Sequence, residues 1–232
     1  MKSYIFGSNL LQHFEMLSDV CLMKNEGPAS LGVCSIVQNN VLKSSEVEPD
    51  TFKFFNKIEK EIKQMDKVDY YVGNTTSKND FFKQKWFPEY QMPATLGSWC
   101  VSLEGEITNK DQILSMLTTP ASIPKSQIWF PNLIASTLSV FKINSTKTED
   151  INSNVTTLLD FLQGKFVFSG FDLTTNRCYL YTSGIPMFYN KKTFGPFKFR
   201  YWKELDDKTL YWCKSSSSGS FKKIKYKQNL QK

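Results

Sequence analysis

The sequence predicts a layered α+β fold, because its helical and strand-like segments come in separate blocks instead of alternating. Two further observations agree. Strand-like runs are joined by short polar turns that suit antiparallel neighbours, and from residue 165 the strand pattern continues to the end of the chain. With 232 residues, 41% hydrophobic and 15% aromatic, the chain is long enough to bury a substantial core in one domain.

The elements follow in order. Tyr4-Ile5-Phe6-Gly7 is an apolar strand where chain ends are usually loose and polar, so the N-terminus is expected to be tucked into the core. Leu10, Leu11, Phe14, Leu17, Cys21 and Leu22 make one helical stripe over 9–24, stopped at Gly27-Pro28. Residues 31–37 and a run around Val41-Leu42 read as a hairpin turning at Asn39-Asn40. A helix over 51–65 places Phe52, Phe55, Ile58 and Ile62 on one face, among lysines and glutamates spaced for i,i+4 pairing. Residues 69–72 are a strand, 73–97 a long polar and aromatic loop, and 99–107 a strand again.

Asn109 is expected to cap a short helix with Ile113, Leu114 and Leu117, ended by Pro120. Pro131 fits the first turn of the next helix, which carries Leu133, Ile134, Leu138 and Phe141, and 142–150 is expected to be a loop. Asn152–Asn154 would cap a further helix with Val155, Leu158, Leu159 and Leu162 on one face and Gly164 as its left-handed stop. Strands at 165–171 and 177–183 flank a turn at Asp172–Asn176. MFYN, FKFRYW, TLYWC and FKKIKYK read as further strands, with Ser215–Gly219 as a hairpin loop.

Composition excludes several chemistries. The five cysteines (Cys21, Cys34, Cys100, Cys178, Cys213) are odd in number and never spaced CxxC, so reduced, part-buried thiols are expected, with no disulfide framework and no zinc site. His13 is the only histidine, which removes Ser-His-Asp and Cys-His catalysis, and one histidine on a helix is more often structural than catalytic. No apolar stretch approaches a membrane span and no signal-peptide pattern opens the chain, so a cytoplasmic protein is expected. In that setting the sequons at Asn74, Asn144 and Asn154 carry little weight. The bias to lysine, asparagine and phenylalanine is what an AT-rich genome, such as a phage's, would encode; for a phage-encoded protein the virion is a further location. Net charge is +7, but nearly all of it is lysine, with Arg177 and Arg200 the only guanidinium groups. The densest basic segment is the tail, Lys222, Lys223, Lys225, Lys227 and Lys232, whose ordinary reading is a solvated strand and whose functional reading is contact with nucleic acid or an acidic partner.

Three stretches, in chain order, resemble the class II glutamine amidotransferases, which are N-terminal-nucleophile enzymes. NEGPASLGV (25–33) resembles the family's RGpdsxG-like turn, and LEGEITNKDQI (103–113) its NGEIxNxxxL segment. LLDFLQGKFVFSGFDLTTNRCYLYTSGIPMFYN (158–190) resembles its helix, LxGxFaF strand, aspartate turn and RxxxxPLyy run. The resemblance covers about residues 3–195 and implies a four-layer αββα sandwich, two antiparallel sheets between helical layers. Residues 196–232 are expected to add C-terminal strands and the basic tail to the same domain.

The family's nucleophile is an N-terminal cysteine whose own α-amine, with an ordinary pKa near about 8, takes the proton, so scarcity of histidine is no objection. The resemblance places that position on Ser3 or Lys2, and Met1-Lys2 stands in front of Ser3. It places the oxyanion-donor asparagine on Glu104, beside a retained Gly105; a carboxylate repels a developing oxyanion, and loss of such a donor costs about 3 to 4 kcal/mol. The carboxylate-clamping arginine falls near Thr76 and the amine-accepting aspartate near Trp129; neither side chain replaces the lost group. The arginine before the PL motif is replaced by Tyr181-Thr182. Ser3, Thr76, Glu104, Gly105 and Trp129 are therefore expected to outline a vestigial pocket. The implied function is a catalytically inactive amidotransferase-like module for structure or protein contact, with no cofactor and no small-molecule substrate. Aromatic clusters at Trp86-Phe87-Pro88 and 197–202 are candidate contact surfaces. The alternatives are an amidohydrolase using a processed Ser3 and a nucleic-acid-associated factor working through the lysine tail.

Overall fold

The computed structural model describes residues 4–25, 29–38, 40–47, 49–62, 68–77, 93–116, 130–143, 148–215 and 219–224. The first half contains β1 (Tyr4–Ser8), α1 (Leu11–Lys24), β2 (Ala29–Val37), β3 (Asn40–Val47), α2 (Thr51–Ile62), β4 (Tyr70–Ser77), β5 (Ala94–Leu96), β6 (Trp99–Ile107) and α3 (Lys110–Met116). The second contains α4 (Phe130–Ile143), α5 (Thr148–Phe161), β7 (Gly164–Asp172), β8 (Arg177–Ser183), β9 (Phe188–Asn190), β10 (Thr193–Gly195), β11 (Lys203–Glu204), β12 (Tyr211–Lys214) and β13 (Lys222–Lys223).

Two antiparallel sheets face each other, ordered β11-β9-β10-β1-β4-β2-β3 and β13-β12-β8-β7-β6-β5. Side chains alternate across each strand, so each sheet supplies two apolar faces. On the outer face of the first sheet, Phe6, Leu31, Val33 and Tyr71 pack with Phe14, Leu17 and Cys21 of α1 and Phe54, Phe55 and Ile58 of α2. On the outer face of the second, Trp99, Val101, Phe166 and Phe168 pack with Ile113 of α3, Ile134 and Leu138 of α4, and Val155 and Leu159 of α5. Ile5, Cys34, Tyr70, Val72, Cys100, Val167, Phe171, Cys178 and Leu180 fill the layer between the sheets. This is the four-layer αββα sandwich. β1 lies inside the first sheet, paired with β10 on one side and β4 on the other, which explains why a chain-end strand is apolar on both faces.

Several local expectations change. On α2, Phe52 is 78% exposed and Phe54 is buried in its place, because the helix starts at Thr51 behind the Asp50 side chain, which accepts from the Lys53 N–H at 3.1 Å, and turns Phe54, Phe55 and Ile58 toward Phe14. Leu10 ends the α1 stripe exposed, as the residue preceding the helix. β4 runs on through Ser77, beyond the strand expected at 69–72, because Gly73–Thr76 continue the ladders to β1 and β2; β5 also falls inside the expected loop. Asn109 precedes α3, but its side chain bonds the connection from α5 to β7: Nδ2 donates to Phe161 O at 2.9 Å, and Oδ1 accepts from the Gln163 N–H at 2.9 Å. α4 extends to Ile143 and α5 already starts at Thr148, with Glu149 and Asp150 in a first turn that favours acids, so Asn152–Asn154 lie inside the helix. Gly164 has φ +120° as the first residue of β7, where a Cβ would sit 2.1 Å from Glu106 O. FKFRYW is not a strand; Tyr201 there has φ +69°.

All five cysteines are unpaired and buried. Cys178 faces Cys213 across β8 and β12, and burial pushes the Cys21 thiol, like that of Cys178, well above the ordinary range, so these thiols are inert fillers.

Candidate functional site

The residues of the candidate site fall on the edge where the start of β1 meets the ends of β2 and β4, and on β6 of the facing sheet. Tyr4 is in register with Thr75 of β4, and Thr76 is in register with Ser30 of β2. Asn74, fully buried, donates from Nδ2 to Tyr4 O at 3.3 Å and accepts at Oδ1 from Thr76 Oγ1 at 2.8 Å. The Thr76 hydroxyl is thus spent on Asn74, and the pair holds the end of β4 to the first described residue of β1. At the back of this edge the Asn25 amide, just after α1, donates to Cys21 O at 3.0 Å and Thr75 Oγ1 at 3.2 Å, fixing the helix to the same strand.

The opposite wall comes from β6, which packs on β1 and β4. Trp99, Val101 and Leu103 face the helices, so Cys100, Ser102 and Glu104 face the layer between the sheets. Glu104, partly buried, is in register with Val167, which lies in that same layer. Gly105 is in register with Phe166 at φ +110°, and a Cβ there would be 2.2 Å from Lys165 O. Ser102 and Ser169 are also register partners on the inner faces, both fully buried, and neither hydroxyl has a hydrogen-bond partner among the described residues.

The fold therefore puts Thr76 on β4, and Glu104 and Gly105 on β6, in strands that pack together. Ser3 and Trp129 lie outside the described residues. Sequence reasoning missed Asn74, Ser102 and Ser169. Asn74 was noticed only as part of a sequon, yet it continues the alternation of Tyr70 and Val72 on the inner face, and that periodicity was the available signal. The arrangement offers hydroxyl and amide hydrogen-bonding groups and one carboxylate. Among the described residues no group of three or more His, Cys, Asp or Glu is placed to hold a metal ion. No helix among them is long and apolar enough to cross a membrane. In the basic tail, Lys223 Nζ meets Asp206 Oδ2 at 2.6 Å and Lys222 lies 5.9 Å from the centre of the Trp212 ring, while Lys225 and Lys227 lie outside the described residues. Of the aromatic clusters, Trp86-Phe87-Pro88 lies outside them too.

No protein-family model matches the sequence, and no curated protein matches it. Solved structures do match. Glutamine phosphoribosylpyrophosphate (PRPP) amidotransferase from B. subtilis, complexed with ADP and GMP, is 12% identical with a TM-score of 0.63 over 97% of this chain and 50% of that one. A structure described as the allosteric regulatory enzyme of purine biosynthesis is 11% identical with a TM-score of 0.64, over 98% and 50%. This chain spans about half the length of both. A predicted glutamine amidotransferase from Pseudomonas aeruginosa PA01 is 8% identical with a TM-score of 0.52, over 93% of this chain and 94% of that one. At these identities the likeness is one of fold, and the fold is that of the glutamine amidotransferase structures.

Proposed function

We propose that this chain is a glutamine-amidotransferase-like domain that does not release ammonia from glutamine and acts as a protein-interaction module. One observation carries the reading: Glu104 occupies the inner face of β6, beside Gly105, on a strand that packs on β1, and the resemblance asks for a neutral oxyanion donor at that position. A carboxylate there opposes the charge that develops on an amide oxygen under attack, and the positive-φ Gly105 alone does not offset it. The engagement of the Thr76 hydroxyl with Asn74 supports the same reading, since no cationic clamp for the glutamine α-carboxylate replaces it at that position. Residues 196–232 belong to the same module in this proposal, because β11 pairs with β9 and β12 with β8.

The test is ammonia release from glutamine, with intact-mass analysis of the same sample. The expected result is no release above the buffer rate and no change in Ser3→Ala. Ammonia release that disappears in Ser3→Ala, from protein whose mass shows Ser3 as the first residue, overturns the reading and establishes the serine amidohydrolase instead.

A further inference from the structure

A cleft of about 260 Å³ opens at the far end of β1, between the start of α1 and the β9–β10 turn; Leu10, His13, Met16, Lys191, Thr193 and Trp202 are among the residues that line it. Its polar floor is internally bonded. Thr193 Oγ1 lies 2.9 Å from Ser8 Oγ and 3.5 Å from His13 Nδ1, and Ser8 Oγ accepts from the Leu10 N–H at 3.1 Å. Its walls are apolar and open to solvent: Leu10 is 50% and Met16 43% exposed. Next to the lining Trp202 in sequence, Tyr201 is 76% exposed, with the Arg200 guanidinium 4.8 Å from its ring centre. Both Tyr201 (φ +69°) and Lys191 (φ +52°) hold a left-handed backbone, which for a bulky aromatic residue is an outlier that its surroundings must impose.

The segment that forms one side of the cleft carries charge of one sign. Residues 190–203 contain Lys191, Lys192, Lys198, Arg200 and Lys203 and no aspartate or glutamate. Lys192 is buried with its ammonium donating to Ser215 O; the other four are exposed. The acids nearby group elsewhere: Glu15 has Glu59 of α2 and Asp19 as its charged neighbours, and Glu204 lies beyond Lys203 on β11. The volume is below the roughly 300–1,000 Å³ of cofactor and drug-sized sites, and suits one large side chain. Trp202 and Met16 line the pocket, with Arg200 and Tyr201 preceding Trp202 in sequence, and these are residue types enriched at protein interfaces.

We propose that this cleft receives an acidic segment of a partner protein, one aromatic side chain of which inserts between Leu10, Met16 and Trp202 while its carboxylates meet Lys191 and Arg200. The proposal rests on the interaction reading above for the kind of occupant, and not on the absence of glutamine hydrolysis.

The probe is the acetylated peptide Asp-Glu-Trp-Glu-Asp, titrated into isotope-labelled full-length protein and followed by amide and indole NMR shifts. Asp-Glu-Ala-Glu-Asp and Lys-Lys-Trp-Lys-Lys serve as controls. Shifts confined to residues 8–16 and 190–202 are expected with the first peptide only, weakening with added salt. M16E and K191E, both at exposed positions, are expected to lower its affinity about tenfold or more with unchanged urea midpoints. Absence of these shifts, equal binding of either control, or unchanged binding by both variants overturns the proposal. So does concentration-dependent self-association that perturbs the same residues without peptide, which makes a second copy the occupant. Ammonia release alongside intact peptide binding overturns only the inactive-module reading; lost binding without ammonia release overturns only this one.

Discussion

At Gly105 the backbone takes φ +110° and an added Cβ would stand 2.2 Å from Lys165 O, so the residue is kept by backbone geometry as well as by any history of chemistry. Gly105→Ala is expected to lower stability by at least about 2 kcal/mol, read as a lower urea midpoint with an unchanged slope, because both strain and a backbone clash must be relieved. Asn109 makes a comparable residue-scale contribution by bonding Phe161 O and the Gln163 N–H at once. Asn109→Ala is expected to cost about 1–3 kcal/mol in the same measurement, since it strands two backbone groups between α5 and β7. The type of each residue was legible in the sequence, its partner was not. An asparagine before a helix reads as a cap, and only the return of the chain through α5 supplies the two groups it serves.

Among the elements, α1 is anchored through Phe14. Phe14 is fully buried and meets Phe6 at 5.1 Å, Tyr71 at 5.3 Å and Phe55 at 5.9 Å between ring centres, joining β1, β4 and α2. Gly73 makes room for this cluster, since a Cβ there would lie 2.6 Å from the Phe6 ring. Phe14→Ala is expected to cost about 3–5 kcal/mol, whereas Phe52→Ala on the solvent side of α2 should change stability by no more than about 0.5 kcal/mol. Equal losses at the two positions would contradict the observed facing of α2. The helix itself was readable from its spacing. Its rotation was not, because Phe52 and Phe54 flank the Phe55–Ile58 stripe on opposite sides and either could complete the face, and the position of Phe14 makes the choice.

For the molecule as a whole, burial acts on titration in one direction. Desolvation pushes the phenols of Tyr71, Tyr179 and Tyr211 up to about 12 and raises the thiols of Cys21 and Cys178, while the Cys100 thiol is raised by its hydrogen bond with Cys34 and then by burial. Each folded-state pKa is raised, so the stabilisation these groups provide is complete below their unfolded values and is lost as pH rises toward the folded ones. Stability is expected to hold up to about pH 8.5, where unfolded thiols ionise, and to fall more steeply above about pH 10, where unfolded phenols do. The contribution of these three phenols should level off near 12, while Tyr70 and Tyr181, raised further by burial, act beyond it. Urea midpoints measured across this range, with tyrosinate absorbance as an independent reading, check the sign. Stability that rises above pH 10 would show that these phenols ionise more readily in the folded protein.

The sequence by itself determined the α+β class, the order of the helices and longer strands, and the burial of the strand at Tyr4–Ser8, since these depend on apolar periodicity and on turn-forming residues along a local stretch. By resemblance it also raised the expectation that Thr76, Glu104 and Gly105 share a pocket. Only the tertiary structure decided that β4 runs on to carry Asn74 and Thr76 beside Tyr4, that Glu104 faces the layer between the sheets, and that Lys191 and Trp202 meet Leu10 and Met16 across 175 or more residues of chain. The physical reason is the same in each case. Local sequence sets which face a side chain takes, while its neighbours are set by strand register and sheet order, and those follow from pairings that no local stretch contains.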